Sequence, residues 1–205
     1  MIQAENLRRV FGAIAEIMAQ QREALIELDQ RNGDGDLGIS MADGYASAYK
    51  AVCENEEKDL GKLCVCAGKA FNEAAPSSLG TITSLCLMGM ARTLKGKEEA
   101  DLKILSEALS AGLEKVMEKA GSKPGEKTIL DAVCPAVEAL RDHADDEEKE
   151  AFQAAAEAAA KGAEATADMV AVHGRAAYFG EKSIGLIDGG AVAGKLVFEA
   201  ILTVL

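Results

Sequence analysis

Apolar residues recur at steps of three and four positions along almost the whole chain, a spacing typical of amphipathic α-helices. The pattern predicts eight helices separated by turn-forming residues. They span residues 3–29, 38–57, 60–74, 79–94, 98–120, 128–143, 147–172 and 190–204. Because most of the connections between them are short, we expect consecutive helices to run antiparallel, as in an up-down bundle.

Composition supports helices that pack against helices. The chain has 205 residues, of which 49% are hydrophobic but only 4% aromatic, and it contains no tryptophan. A core of Ala, Leu, Val, Ile and Met suits closely packed helices better than a β-sandwich, whose strands favour aromatic and β-branched residues. No repeat and no long linker divides the chain. We therefore expect one all-α domain over residues 1–205.

The net charge of −12 limits the partners of this protein. Nucleic acids and anionic membranes attract lysine and arginine, so neither is an expected partner, although one small anion could bind through a metal ion. No apolar run approaches the roughly 20 residues of a membrane-spanning helix. The start of the chain, MIQAENLRRVFGAIAEIM, is amphipathic and charged, unlike a signal peptide. We expect a cytoplasmic protein.

The connection after the first predicted helix is more acidic than a simple turn requires. Asp29 should close that helix, and Asp34 and Asp36 alternate with glycines just before the next one. Three carboxylates at one end of a bundle repel each other unless a cation lies among them, and their oxygens suit magnesium or calcium. The alternative is a solvated turn, since Asn, Asp and Gly are common in turns.

A calcium loop of the EF-hand type does not fit this connection. Counted from Asn32, a 12-residue loop has Leu37 at the sixth position, where the turn requires glycine, and Asp43 at the twelfth, where glutamate is expected. Counted from Gln30, the loop lacks a carboxylate at its first position. Magnesium keeps open positions for water and substrate phosphates, so it suits three carboxylates better.

A glycine-rich segment near the end, SIGLIDGGAVAGKL, suggests a phosphate-binding loop. Residues Gly189 to Lys195 satisfy the pattern GxxxxGK, but Leu196 stands where a Ser or Thr should bind magnesium. No parallel-sheet pattern surrounds the segment. We do not expect a Walker motif, although a glycine-rich turn into a helix N-terminus can still hold a phosphate or ribose through backbone N–H groups.

Several segments together resemble the ADP-binding (L) subunit of dihydroxyacetone kinases, the DhaL or Dak2 family. GDGDLGISM resembles that family's GDGDHGxNM, and KPGEKTILDAVCPAVEAL resembles PGDKTMLDAL. ATADMVAVHGRAAYFGEKSIGLIDGGA resembles ATxxMxAxxGRASYLGERSxGxxDPGA. The matches occur in the same order as in the family and extend from about residue 25 to residue 195.

The resemblance implies a fold and a ligand. The fold is an eight-helix antiparallel up-down barrel, and the ligand is ADP or ATP, held at one end of the barrel through two Mg²⁺ ions. Asp29, Asp34 and Asp36 match the family's metal ligands and are the residues on which catalysis is expected to depend.

Further nucleotide contacts are implied at four places along the chain. They are Leu37, Gly38, Ile39 and Ser40 at the phosphate-facing start of the second helix, Ser78 and Leu79 in another phosphate-binding turn, Gly121 and Ile129 beside the adenine, and Arg175, Asp188, Gly189 and Gly190 in the last connection. Three of these positions depart from the family, which usually has histidine at Leu37, asparagine at Ser40 and proline at Gly189.

The implied activity is phosphoryl transfer within a dihydroxyacetone kinase-like complex. A separate K subunit would hold dihydroxyacetone or a related short sugar, because this chain contains nothing that resembles a sugar site. The donor is either ATP or a phosphohistidine protein of the phosphotransferase system. Two other interpretations stay open: a nucleotide-binding regulatory or sensor protein that has lost phosphoryl transfer, and a helical interaction module with an acidic surface turn. Homodimerisation is also open.

Overall fold

The computed structural model describes all 205 residues, most of which are helical. Nine α-helices follow one another along the chain. They are α1 (Ala4–Gln20), α2 (Arg22–Asp29), α3 (Leu37–Cys53), α4 (Leu60–Ala74), α5 (Ser78–Leu94), α6 (Leu102–Ala120), α7 (Leu130–Asp142), α8 (Glu148–Ala165) and α9 (Gly189–Leu202). Two 3₁₀ segments, Thr166–Asp168 and Arg175–Ser183, lie between α8 and α9. The two-residue strands β1 (Ile2–Gln3) and β2 (Glu99–Ala100) pair antiparallel.

The observed helices differ from the predicted ones mainly at four places, one of which is the end of α3, at Cys53 rather than at residue 57. The first predicted helix is interrupted at Gln21, which leaves helical geometry, so it consists of α1 and α2. The helix predicted over residues 147–172 ends at Ala165, because the chain tightens into 3₁₀ geometry and the Thr166 hydroxyl donates to the Ala163 carbonyl. α6 begins at Leu102, where the carboxylate of Asp101 caps the helix.

The helices form a closed ring in which neighbours run antiparallel. α3 to α8 each pack against the next helix in the chain, and α1 packs against both α3 and α9. Arg8, near the start of α1, donates to the Val52 carbonyl near the end of α3 at 3.0 Å. Arg9 donates at 2.8 Å to the carbonyl of Val204, just beyond α9. With α1 and α2 counted as one kinked member, this ring confirms the eight-helix barrel.

The interior of the ring is apolar. Two groups of buried hydrophobic residues fill it, and Cys86, Leu105 and Leu109 pack against both. Tyr45 meets Phe71 edge-on within the larger group, with their ring centroids 4.9 Å apart. A cavity of about 190 Å³ remains among these side chains. No helix combines the length and the apolar character that crossing a bilayer requires.

The alternation of helix direction gathers the chemically interesting residues at one end of the barrel. Four connections lie there: residues 30–36, 75–77, 121–129 and 166–188. Every site residue named from the sequence belongs to one of these connections, to the last residue of the helix before it, or to the first turn of the helix after it.

Candidate functional site

The three aspartates of the first connection converge on one point. One carboxylate oxygen from each of Asp29, Asp34 and Asp36 lies within 4.8 Å of the other two. Asp29 ends α2, and its Oδ2 accepts a hydrogen bond from the N–H of Gly35 at 2.8 Å. Gly35 has a φ of +79°, which glycine adopts without steric cost. The connection therefore folds back on the end of α2, and we call the three aspartates the acidic corner.

The acidic corner carries more negative charge than its neighbours neutralise. The Asp36 side chain reaches solvent, yet partial loss of its hydration, followed by the charges of Asp34 and Asp29, raises its pKa. Arg175 lowers that pKa and lies against Asp34, with Nε 2.7 Å from Oδ2. One arginine facing three carboxylates leaves the corner anionic. A donor set made only of carboxylate oxygens fits a hard cation such as Mg²⁺ rather than zinc.

A buried amide lies within the same connection. Asn32 is 6% exposed, and its Nδ2 has no hydrogen-bond partner in the protein. Buried polar groups are nearly always hydrogen-bonded, so an unpartnered donor beside three metal-ligand candidates calls for an explanation. A ligand rich in oxygen atoms, bound at the acidic corner, would accept a hydrogen bond from this Nδ2.

The positive end of α3 follows directly after the acidic corner. The backbone N–H groups of Leu37, Gly38 and Ile39 lie in the first helical turn and have no acceptor within the protein, because the side chain of Asp36 does not cap them. Such a helix start attracts anions, phosphates in particular. Leu37, Gly38 and Ser40 are buried, whereas Ile39 is exposed.

Close helix packing explains two glycines that the resemblance assigns to the nucleotide. A Cβ atom on Gly38 would lie 2.1 Å from the carbonyl oxygen of Arg22, so only glycine lets α3 approach α2 this closely. A Cβ atom on Gly189 would lie 2.6 Å from Cδ2 of Leu37. The starts of α3 and α9 therefore touch, and Asp188 comes close to the acidic corner.

Asp188 organises the start of α9. Its Oδ2 accepts the N–H of Ala191 at 2.8 Å, which caps the helix, and its own N–H donates to the Thr166 hydroxyl at 2.9 Å. Burial, together with the negative charge of Asp131, raises the pKa of Asp188 to about 6, although the Ala191 N–H and the Lys127 ammonium oppose this. The carboxylate is thus held at a position where its charge is costly.

The connection before α7 reaches the same region. Gly121 ends α6 with a φ of +66°, the left-handed conformation usual for glycine after a helix. Ile129 precedes α7, and a Cβ atom on Gly190 would lie 3.4 Å from its backbone nitrogen. A hydrogen bond of 2.6 Å between His173 and Glu126 also ties this connection to the one before α9.

Ser78 and Leu79 share this end of the barrel but stand apart from the acidic corner. They form the first turn of α5, whose cap is the hydroxyl of Ser77, which accepts the N–H of Gly80 at 3.1 Å. No hydrogen bond joins Ser78 or Leu79 to the three aspartates.

Two residues that shape this end of the barrel, Asn32 and Lys127, were not predicted from the sequence. Both are of types usually found at the surface, so no composition or spacing signal marks them as buried. In the structure both side chains are almost fully enclosed, at 6% and 2% exposure.

Comparisons with known proteins agree with this architecture. Residues 32–203 match the DAK2 domain. The chain is 34% identical over 196 residues to the ADP-binding subunit DhaL of PEP-dependent dihydroxyacetone kinase 1 from Listeria innocua, which covers 95% of this chain and 93% of that protein. It is 30% identical to the L-erythrulose 1-kinase of Mycolicibacterium smegmatis over 97% of this chain, but only 35% of that larger protein is covered.

Solved structures show the same fold. The dihydroxyacetone kinase of C. freundii superposes with a TM-score of 0.78 at 23% identity and covers 99% of this chain, which spans 35% of that one. The structure of that enzyme in complex with AMP-PNP and Mg²⁺ gives a TM-score of 0.77 at 25% identity over 96% of this chain. The barrel and the resemblance noted in the sequence are both confirmed, and the chain belongs to the DAK2 domain family.

Proposed function

We propose that this chain binds a magnesium-complexed nucleotide at the acidic corner and serves as the nucleotide-binding subunit of a dihydroxyacetone kinase-like phosphotransferase. The observation that carries the proposal is the convergence of Asp29, Asp34 and Asp36 within 4.8 Å, directly before the uncapped start of α3. The names of the relatives support it, since they are ADP-binding subunits of dihydroxyacetone kinases or erythrulose kinases.

The residues of the chain would divide the work of phosphoryl transfer, which needs positioning and charge neutralisation more than covalent chemistry. Bound Mg²⁺, two ions by the resemblance, would supply the charge that offsets the phosphate oxygens. The three aspartates would hold the metal. The free N–H groups of Leu37, Gly38 and Ile39 at the start of α3 would orient phosphate oxygens, with Ser40 beside them in the same turn. Arg175, whose long side chain is largely exposed, would add a further positive charge.

The rest of the nucleotide would extend across the barrel end. Gly121 and Ile129 would lie beside the base, and the turn of Asp188, Gly189 and Gly190 would lie beside the phosphates or ribose. Ser78 and Leu79 would contribute a second backbone N–H contact to phosphate. In this proposal residues 1–205 act as one nucleotide-binding domain.

The charge of the protein makes the metal central to this proposal. A chain of net charge −12 repels a polyphosphate, and the repulsion is strongest beside three carboxylates. Cations held at the corner would reverse the local sign of the field. The chain should therefore bind nucleotide in the presence of Mg²⁺ and not in its absence.

A partner subunit would cover the nucleotide end. The connection before α9 exposes several apolar side chains: Val172 at 52%, Tyr178 at 91%, Phe179 at 44% and Ile184 at 49%. Grouped exposed apolar residues mark interaction surfaces in soluble proteins. We call these four residues the apolar rim, and we propose that it docks on a K subunit that holds dihydroxyacetone or a related short sugar.

One observation favours a second function. Leu37 is buried and apolar at the position where the family usually has histidine, so one polar group beside the phosphates is missing. A protein that binds nucleotide but no longer transfers the phosphoryl group, a regulator or sensor, fits that change.

Reconstitution separates the two functions. The chain is mixed with the K subunit of a dihydroxyacetone kinase, Mg²⁺, dihydroxyacetone or erythrulose, and either ATP or a phosphohistidine protein, and the sugar phosphate is measured. We expect product with the wild-type chain and with Asp43→Asn, which alters an exposed acid of α3, but none with Asp34→Asn. Nucleotide binding without product from the wild-type chain would favour the sensor instead.

A further inference from the structure

Lys127 is a buried lysine whose ammonium group lies at the centre of the connection before α9. Its side chain is 2% exposed. Nζ lies within hydrogen-bond distance of four backbone carbonyl oxygens, those of Thr166 at 2.6 Å, Met169 at 3.2 Å, Ser183 at 2.9 Å and Leu186 at 2.5 Å, so its three N–H groups are all used and one is shared. The four acceptors extend over almost the whole of the connection, while Lys127 itself belongs to the connection before α7.

This arrangement resembles a monovalent cation site. Lysine is almost never fully buried unless it is paired, and here the partners are carbonyl dipoles rather than a carboxylate. Rings of backbone carbonyl oxygens are also how proteins hold potassium ions. Burial lowers the pKa of Lys127, and the negative charges of Asp188 and Asp168 oppose that change. The backbone of Lys127 has a φ of +60°, a conformation uncommon for any residue except glycine.

Apart from Lys127, polar contacts rather than an apolar core hold this connection in place, among them those of Val172 and His173 with Glu126. Of the hydrophobic residues between 166 and 188, only Ala171 is buried; Met169 and Leu186 are half-buried, and the other large apolar side chains are exposed. Several of its hydrogen bonds are internal: the Ser183 hydroxyl accepts the N–H of Ala171 at 3.0 Å and donates to the Gly180 carbonyl at 2.7 Å. A segment without an apolar core needs polar contacts to keep one conformation.

We propose that Lys127 is a positioning residue for the nucleotide site, a built-in monovalent cation around which the connection of residues 166–188 folds. This inference rests on the proposed function, because its consequence is the placement of Arg175 and Asp188. Arg175 lies in the sequence between Met169 and Ser183, whose carbonyl groups both contact Lys127. From that position its side chain reaches Asp34. Lys127 thus acts on the acidic corner without touching it.

The first test replaces Lys127 with methionine, which keeps length but removes the charge. Lys182→Met is the matched control, since it removes an exposed lysine from the same connection. We expect Lys127→Met to keep its helical circular dichroism while the amides of residues 166–188 exchange about tenfold faster or more. The Kd for Mg-ADP and the KM for Mg-ATP should each rise about tenfold, with kcat at saturating Mg-ATP nearly unchanged. The control should match the wild-type protein.

The second test asks whether an external cation can replace the ammonium group. In Lys127→Ala, ammonium or potassium ions should slow the exchange of residues 166–188 again and restore part of the nucleotide affinity, whereas lithium should not. A residue that merely stabilised the barrel would show no such selectivity.

Three results would overturn the inference. If the amides of residues 166–188 exchange as slowly in Lys127→Met as in the wild-type protein, other contacts order the connection. Faster exchange with unchanged nucleotide affinity would mean that the order does not serve the site. Loss of helical structure in both variants, without rescue by cations, would make Lys127 a residue of the whole fold. If the wild-type chain binds no nucleotide, the proposed function fails, yet exchange and cation rescue in the nucleotide-free protein still decide whether Lys127 organises the connection.

Discussion

The guanidinium group of Arg175 contacts the carboxylate of Asp34, with Nε 2.7 Å from Oδ2. This ion pair joins the last connection of the barrel to the first. Both side chains are substantially exposed, at 65% and 39%, so the pair contributes little to stability. Its importance is that Arg175 contacts a carboxylate that we propose as a ligand of the metal. In the proposed site Arg175 and Mg²⁺ would compete for Asp34, and metal binding would release the guanidinium toward the phosphates.

Replacing Arg175 should move two affinities in opposite directions. Arg175→Gln should bind Mn²⁺ or Mg²⁺ more tightly in the absence of nucleotide, because Asp34 is no longer paired. It should bind Mg-ADP about tenfold more weakly, since a charge-assisted hydrogen bond to phosphate contributes roughly 1.5–3 kcal/mol. Electron paramagnetic resonance with Mn²⁺ and calorimetry measure the two affinities. Arg141→Gln, an exposed arginine on α7, is the control, and a parallel change in both affinities would contradict this competition.

The buried amide of Asn32 should lower the stability of the nucleotide-free protein and support the binding of Mg-ADP. Asn32→Leu removes the buried Nδ2 that lacks a partner, and leaving such a donor unpaired costs about 1–3 kcal/mol. We expect the nucleotide-free variant to be about 1 kcal/mol more stable in urea, while Mg-ADP binding becomes weaker. Asn72→Leu, at an exposed position of α4, controls for the added side chain. A large loss of stability in Asn32→Leu would show that the amide has a partner within the protein.

Asp188 should make stability depend on pH in a defined direction. Its folded pKa of about 6 lies above the ordinary value of 3.8, so between those pH values the folded chain binds more protons than the unfolded chain. The contribution of this group to stability is therefore present at low pH and is lost as pH rises from about 4 to about 6.

Asp188→Asn removes that titration and keeps a side chain that can cap α9. Urea unfolding in a metal chelator, at several pH values, gives the stability difference between variant and wild type. We expect the free energy of unfolding of Asp188→Asn to rise relative to that of the wild-type protein as pH rises from about 4 to about 6. A pH-independent difference would show that Asp188 titrates normally.

The apolar rim should matter for assembly but not for nucleotide binding. Tyr178 is 91% exposed and Phe179 is 44% exposed, and neither belongs to the buried core. The double variant Tyr178→Ser, Phe179→Ser should therefore keep its stability and its Mg-ADP affinity, while its complex with a K subunit weakens and the apparent activity falls. Analytical ultracentrifugation of the mixture measures the complex. Equal association of variant and wild type would remove the rim from the proposed interface.

The architecture could be predicted from the sequence because it depends on a repeated pattern. Each helix buries an apolar face, and that periodicity is visible without any long-range information. The gathering of the aspartates at one end of the bundle was also predictable, since all three lie in or beside a single short connection. Their role as metal ligands and the assignments of the other site residues remain predictions.

The parts that escaped prediction depend on contacts between distant residues. The alanine-rich pattern of α8 continues beyond Ala165, but the chain leaves the helix where the carbonyl of Thr166 turns toward Lys127. In the sequence Lys127 is one lysine in a polar turn, and only the fold encloses it. Arg175 was identified through the resemblance alone, because nothing local marks it as the partner of Asp34.

Isothermal titration calorimetry of ADP with and without Mg²⁺ tests the central claim most directly. The wild-type chain and Asp43→Asn should bind ADP when Mg²⁺ is present and show no heat of binding in a chelator, whereas Asp34→Asn should not bind under either condition while its circular dichroism stays helical. Binding of ADP by the wild-type chain without any divalent cation, or undiminished binding by Asp34→Asn, would contradict the account.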